Sequence, residues 1–103
     1  MTHREILLAA VDYIERHGHA KCEYGGRIDI ASYDETLDDA PACAIGACAT
    51  VARKDVTNLD IWTLSDVLEK QVAAQFAGIF SWNDASTPEE VVTMLRATAE
   101  GLQ

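Results

Sequence analysis

Asp38-Asp39-Ala40-Pro41-Ala42-Cys43-Ala44-Ile45-Gly46-Ala47-Cys48-Ala49-Thr50-Val51-Ala52 is the stretch whose reading decides the fold. Asp38 and Asp39 suit a helix N-cap, where an anion meets the positive end of the helix dipole. Pro41 suits the first turn, because the amide hydrogen it lacks would have no helical acceptor there. From Ala42 onward no charged residue appears until Arg53. A helix that is apolar on every side is buried on every side. Its residues are also small, so neighbouring backbones can approach closely. The stretch therefore predicts a central helix over about 42–53, enclosed by the rest of the chain.

Working outward, the first helix spans about residues 3–17. Thr2-His3-Arg4-Glu5 forms a capping box, in which Thr2 and Glu5 satisfy each other's backbone amides. Ile6, Leu7, Ala10, Val11, Ile14 and His17 recur at helical spacing and make one buried face. Gly18 is a natural stop, because glycine takes the left-handed conformation cheaply. On the other side of the central helix, Asn58–Trp62 reads as a connector with Ile61 and Trp62 packed inward. Thr63 then caps a further helix with Leu64, Val67, Leu68, Val72 and Phe76 inside. Residues 76–84 carry no helical period and predict a turn followed by extended or loop structure. Thr87-Pro88-Glu89-Glu90 is a second capping box, opening a last helix with Val91, Val92, Leu95, Ala99 and Leu102 inside. Between the first and central helices, Arg27–Tyr33 alternates in polarity and allows a small hairpin around Gly25-Gly26. The fold class is all-α, or α with a minor β-hairpin: a single domain of about four helices around a buried centre.

Bulk properties narrow the function. The chain has 103 residues, 49% of them hydrophobic and only two of them proline, which suits one globular domain. Acids outnumber bases 17 to 8, for a net charge of −9. That balance argues against a phosphate-binding surface for nucleic acid and against anionic membranes. It favours a protein partner with a basic surface. Six of the acids (Glu23, Asp29, Asp34, Glu35, Asp38 and Asp39) fall within residues 22–40, beside the single base Arg27. No membrane span or signal peptide is apparent, and three cysteines (Cys22, Cys43 and Cys48) read as reduced thiols in a cytoplasm. No cofactor motif or phosphate loop is present, so no cofactor is expected.

The order of segments resembles a family of small uncharacterised proteins of actinobacteria and their phages. The resemblance rests on Ile14-Glu15-Arg16-His17-Gly18 ending the first helix, and on Cys43-Ala44-Ile45-Gly46-Ala47 opening the central one. Trp82-Asn83-Asp84 leading into Glu89–Leu95 completes it. It covers nearly the whole chain. Relatives often carry an aromatic near position 19, where this chain has Gly18-His19-Ala20-Lys21-Cys22. The resemblance implies a shared fold and an intracellular, phage-linked setting, and it brings no assigned activity.

Four candidate sites follow from the residues. A zinc site would draw on His17, His19 and Cys22, with Cys43 and Cys48 as further thiolates. Those two lie about 140° apart around a helix axis and converge poorly. A nucleophilic Cys43 would gain from the helix dipole, with His17 or His19 as base and Asn83 or Asp84 as orienter. The competing reading of all three cysteines is as small buried residues. Trp82 and its loop would form a partner-facing tip, or else brace the core through ordinary Asn-Asp turn chemistry. The acids Asp34, Glu35, Asp38 and Asp39 would meet a basic partner, or else form a solvated face. The expectation is a non-enzymatic protein-interaction module, a phage accessory factor acting on a host protein, with a homodimer as one assembly. The alternatives are a cysteine-dependent hydrolase or transferase centred on Cys43, and a zinc-stabilised binder.

Overall fold

The computed structural model describes residues 2–19, 41–53, 58–71 and 79–102. The expected hairpin at 20–34, the acids of 22–40, Cys22, Val72 and Phe76 lie outside the described residues. Five helices occur among those that are described: α1 (His3–His17), α2 (Ala44–Ala52), α3 (Leu59–Glu69), α4 (Ile79–Ala85) and α5 (Pro88–Glu100). No strand occurs among them. The fold is an all-α bundle, with one helix more than the sequence predicts. No described helix is long and apolar enough to cross a membrane.

α1 begins and ends where its local chemistry dictates. Thr2 Oγ1 accepts from the Glu5 amide at 3.1 Å, and Glu5 Oε1 accepts from the Thr2 amide at 2.9 Å. These bonds to Thr2 hold the Glu5 carboxyl below its ordinary range. At the other end Gly18 adopts φ +99°, which a side chain would resist. Its amide closes the last turn on the Ile14 carbonyl at 2.9 Å. The chain then turns so that the Gly18 carbonyl accepts from the Ala42 amide at 3.2 Å, and His19 pairs in parallel with Ala42. The end of α1 and the start of α2 are thereby fixed side by side.

α2 is enclosed as its composition requires. Every residue from Ala44 to Thr50 is buried, and only Val51 and Ala52 are partly exposed. It starts two residues later than the sequence predicts. Cys43 is the N-cap, and Pro41 and Ala42 lie before the helix. The reason is the bridge just described: pairing with the end of α1 holds Ala42 in bridge geometry, and Cys43 after it is extended at φ −75°, ψ 173°, so helical geometry begins only at Ala44. α1 packs chiefly on α5 and α2, and α3 lies against α2, α4 and α5. Ile6, Leu7, Ile61, Leu64, Leu68, Val91 and Leu95 are sealed in the resulting core.

Three further expectations need correction. α3 begins at Leu59, with Asn58 and not Thr63 as its cap: Asn58 Oδ1 accepts from the Asp60 amide at 2.9 Å. Thr63 lies inside the helix, its hydroxyl donating to the Leu59 carbonyl at 2.9 Å. Trp62 is 57% exposed and not packed inward, while Ile61 beside it is fully buried. Residues 79–85, expected as turn and loop, form α4. α5 follows the prediction, with Thr87 and Glu90 closing their capping box and Val91, Val92, Leu95 and Ala99 inside.

Candidate functional site

Two places in the molecule carry chemistry that the core alone does not demand. The first is the start of α2. Cys43 has an extended backbone, and its Sγ accepts from the Gly46 amide at 3.3 Å. Sulfur is a weak acceptor, so this cap satisfies its amide less well than a serine or aspartate would. Asn83, delivered by α4, reaches the same spot. Its Oδ1 accepts from the Ala44 amide at 3.0 Å and lies 2.8 Å from His19 Nε2. Its Nδ2 donates to Asp84 Oδ1 at 3.2 Å. Asn83 is 1% exposed.

The Ala44 amide can only donate, so the atom facing it must be the asparagine oxygen, which fixes the orientation of the amide group. The same oxygen then accepts from His19, so Nε2 carries the hydrogen. In the neutral ring Nδ1 is left as the basic nitrogen. A histidine whose tautomer is set by an asparagine bonded to the first amide of α2, the helix that Cys43 caps, supplies the residue types of a cysteine hydrolase. Burial of the sulfur opposes that use: Cys43 has no exposed surface. Cys48, one turn and a half further along α2, is a free buried thiol that burial, and secondarily the charge of Cys43, pushes up to about 12. It stays protonated at neutral pH.

Of the sequence-derived candidates, the fold joins His19, Asn83 and Asp84 by hydrogen bonds at the start of α2, the helix that Cys43 caps. His17 is placed elsewhere, its ring tilted against Tyr13 with centroids 4.7 Å apart. Trp82 is partly buried against the core, and its helix, not a loop, presents it. Cys22, Asp34, Glu35, Asp38 and Asp39 lie outside the described residues. Among the described residues no group of three or more His, Cys, Asp and Glu is arranged to hold a metal ion. Two open grooves flank α5. One, of about 480 Å³, is lined by Gln71, Glu89, Glu90, Thr93, Met94 and Ala97, and the other is about 450 Å³. Neither is lined by Cys43, His19 or Asn83.

The second place is the outer face of α3. Ile61, Leu64, Ser65 and Leu68 turn inward. On an ideal helix the opposite side is then occupied by Leu59, Thr63, Asp66 and Lys70, with Trp62 and Glu69 on one flank. Leu59 is 78% exposed and Trp62 57%. They stand one turn apart and form an apolar patch on the surface. The signal in the sequence was Asn58. Taken as the cap, it starts the helix five residues earlier and places Leu59 and Trp62 away from the buried stripe.

No curated protein and no solved structure matches the chain significantly. A family model does, over residues 1–101, and it is described as a family of unknown function, DUF6197. With nearly every residue covered, the chain belongs to that family.

Proposed function

We propose that this chain is a non-enzymatic protein-interaction module that meets its partner on the outer face of α3. The observation that carries the reading is the exposure of Leu59 and Trp62 on a helix that otherwise buries its large apolar side chains. Tryptophan presents about 150–250 Å² to a contact and is over-represented among residues that dominate binding energy. The rigid support behind it comes from Ile61, Leu64 and Leu68, each fully buried. The setting that fits is a cytoplasmic accessory factor, phage-encoded and acting on a host protein, with a homodimer as the simplest alternative assembly.

The test compares Trp62→Ala and Leu59→Ser with Leu8→Ser, which changes an exposed leucine on α1 instead. Tagged proteins are used to capture partners from the native host, and each is sized by sedimentation. The reading predicts a stoichiometric partner held by wild type and by Leu8→Ser and lost from both α3 variants. Equal recovery by all four proteins, or no stoichiometric partner for any, refutes it. A complex of two chains abolished by Trp62→Ala would identify the partner as a second copy.

A cysteine-dependent hydrolase or transferase is the second reading, favoured by the convergence of His19 and Asn83 beside Cys43. In it Cys43 is the nucleophile, His19 the base and Asn83 the orienting group. Rapid labelling of Cys43 by a thiol reagent in the folded protein at neutral pH would raise it. Labelling only on unfolding would end it.

A further inference from the structure

We infer that the α3 face takes a basic amphipathic segment of a partner protein, one that sets an apolar side chain on Leu59 and Trp62 and a lysine or arginine about 10 Å further along. This rests on the interaction reading above and adds the chemistry of the partner. Its basis is the order of residues along one side of α3. Leu59 and Trp62 occupy the first turn, and the exposed carboxylates Asp66 and Glu69 follow on the same side in the last two turns. The ideal-helix projection places Trp62, Glu69, Asp66 and Leu59 within about 80° of one another. Lys70 and Thr63 border them on one edge, so the strip carries two negative charges against one positive at that edge.

The pattern discriminates among occupants. Nucleic acid and anionic lipid present phosphates, which Asp66 and Glu69 repel. A second copy fits badly. Two α3 helices overlapping fully and antiparallel about a two-fold axis would lay the leucine and tryptophan of each on the carboxylates of the other, and an overlap limited to the first turns would leave both pairs of carboxylates unmatched. Paired parallel, they would set carboxylate against carboxylate. Each copy also carries a net charge of −9, which opposes self-association at low salt. A partner with apolar and cationic side chains at matching intervals satisfies both halves of the strip, the apolar half supplying affinity and the charged half orientation.

The experiment uses the full-length ¹⁵N-labelled protein and two synthetic helical peptides with the same leucine spacing. One carries lysines at its polar positions and the other glutamates. The lysine peptide is expected to shift α3 amides and to weaken when salt rises from low to physiological levels. Its affinity should fall about tenfold in an Asp66→Asn, Glu69→Gln double variant, with the glutamate peptide at least about tenfold weaker on wild type. Equal binding of the two peptides, with dependence on Trp62 retained, overturns the basic-partner inference while leaving the α3 surface standing. Shifts that map to residues 22–40 instead of α3, or no shift at millimolar lysine peptide, also overturn it. In those cases the interaction reading is judged by its own capture experiment.

Discussion

The start of α2 and the start of α3 pose one physical problem and solve it oppositely. Each helix opens with amides that have no acceptor within the helix. At α3 the answer is local and wet: Asn58 caps from the neighbouring position, and the outer side of the first turn stays exposed, with Leu59 and Trp62 in water. At α2 the answer is remote and dry. Cys43 caps weakly through sulfur, and Asn83, 39 residues from Ala44, crosses the fold to take the buried Ala44 amide. The sealed start holds more potential chemistry and less access, and the open start holds little chemistry and full access. That contrast is why we propose binding first and catalysis second.

The sharpest way to break the comparison is a pair of substitutions two residues apart on α3. Ile61→Ala should lower unfolding free energy by about 2–5 kcal/mol, because it leaves a cavity in a sealed core. Leu59→Ala should change it by less than about 0.5 kcal/mol, because the side chain is already in water. Denaturant melts of both variants check this, and equal losses would mean that Leu59 is not on the surface. Next in size is Asn83→Ala, expected to cost about 1–3 kcal/mol by leaving the Ala44 amide buried without its acceptor. Hydrogen exchange at Ala44 should quicken, and His19 should lose its fixed tautomer in ¹⁵N spectra. If Asn83→Ala is as stable as wild type, the start of α2 does not depend on α4.

The same two regions mark how far the sequence could be read. α1 and α5 were legible almost to the residue, because both carry complete capping boxes and clean apolar stripes, and both signals are local. The burial of α2 was legible too, because an uncharged run has no surface to offer. Its first residue was not, since what holds Ala42 out of the helix is its pairing with His19, far away in sequence. The start of α3 lies five residues before the expected one because Thr63 has the chemistry of a cap, yet its hydroxyl is engaged backward with Leu59. α4 lacked any local signal. It is only seven residues long, and helices that short are held by tertiary contacts rather than by propensity. Cys43 and Asn83 were both legible as candidates. Their meeting point was not, because it depends on where α4 is carried by the rest of the fold.

The sealed region also makes a prediction about pH. Cys48 is pushed up to about 12 from an ordinary 9.0, chiefly by burial. A thiol with a raised folded value keeps its full contribution to stability below the unfolded value. As pH climbs, the unfolded chain releases its proton first, so stability falls between about 9 and about 12. Cys48→Ala should flatten the stability profile across that window relative to wild type. Cys48 in the wild-type protein should label with a thiol reagent at neutral pH only as fast as the protein unfolds. A Cys48→Ala profile parallel to wild type would show that other groups govern the alkaline limb.

The one stabilising effect is expected at the far end of α2, which sets a strained exit beside a capped start. Arg53 closes the helix in the left-handed conformation, φ 54°, with its amide on the carbonyls of Ala49 and Thr50. A residue with a side chain is held there at a cost that glycine largely escapes. Arg53→Gly should therefore raise unfolding free energy by about 0.5–1 kcal/mol, set by relief of backbone strain against the greater freedom of glycine in the unfolded chain. A denaturant melt with an unchanged slope reads this directly. Loss of stability instead would mean that the Arg53 side chain contributes more to closing α2 than its backbone costs. The exit of the central helix would then resemble its start, in being held by a side chain rather than by the backbone alone.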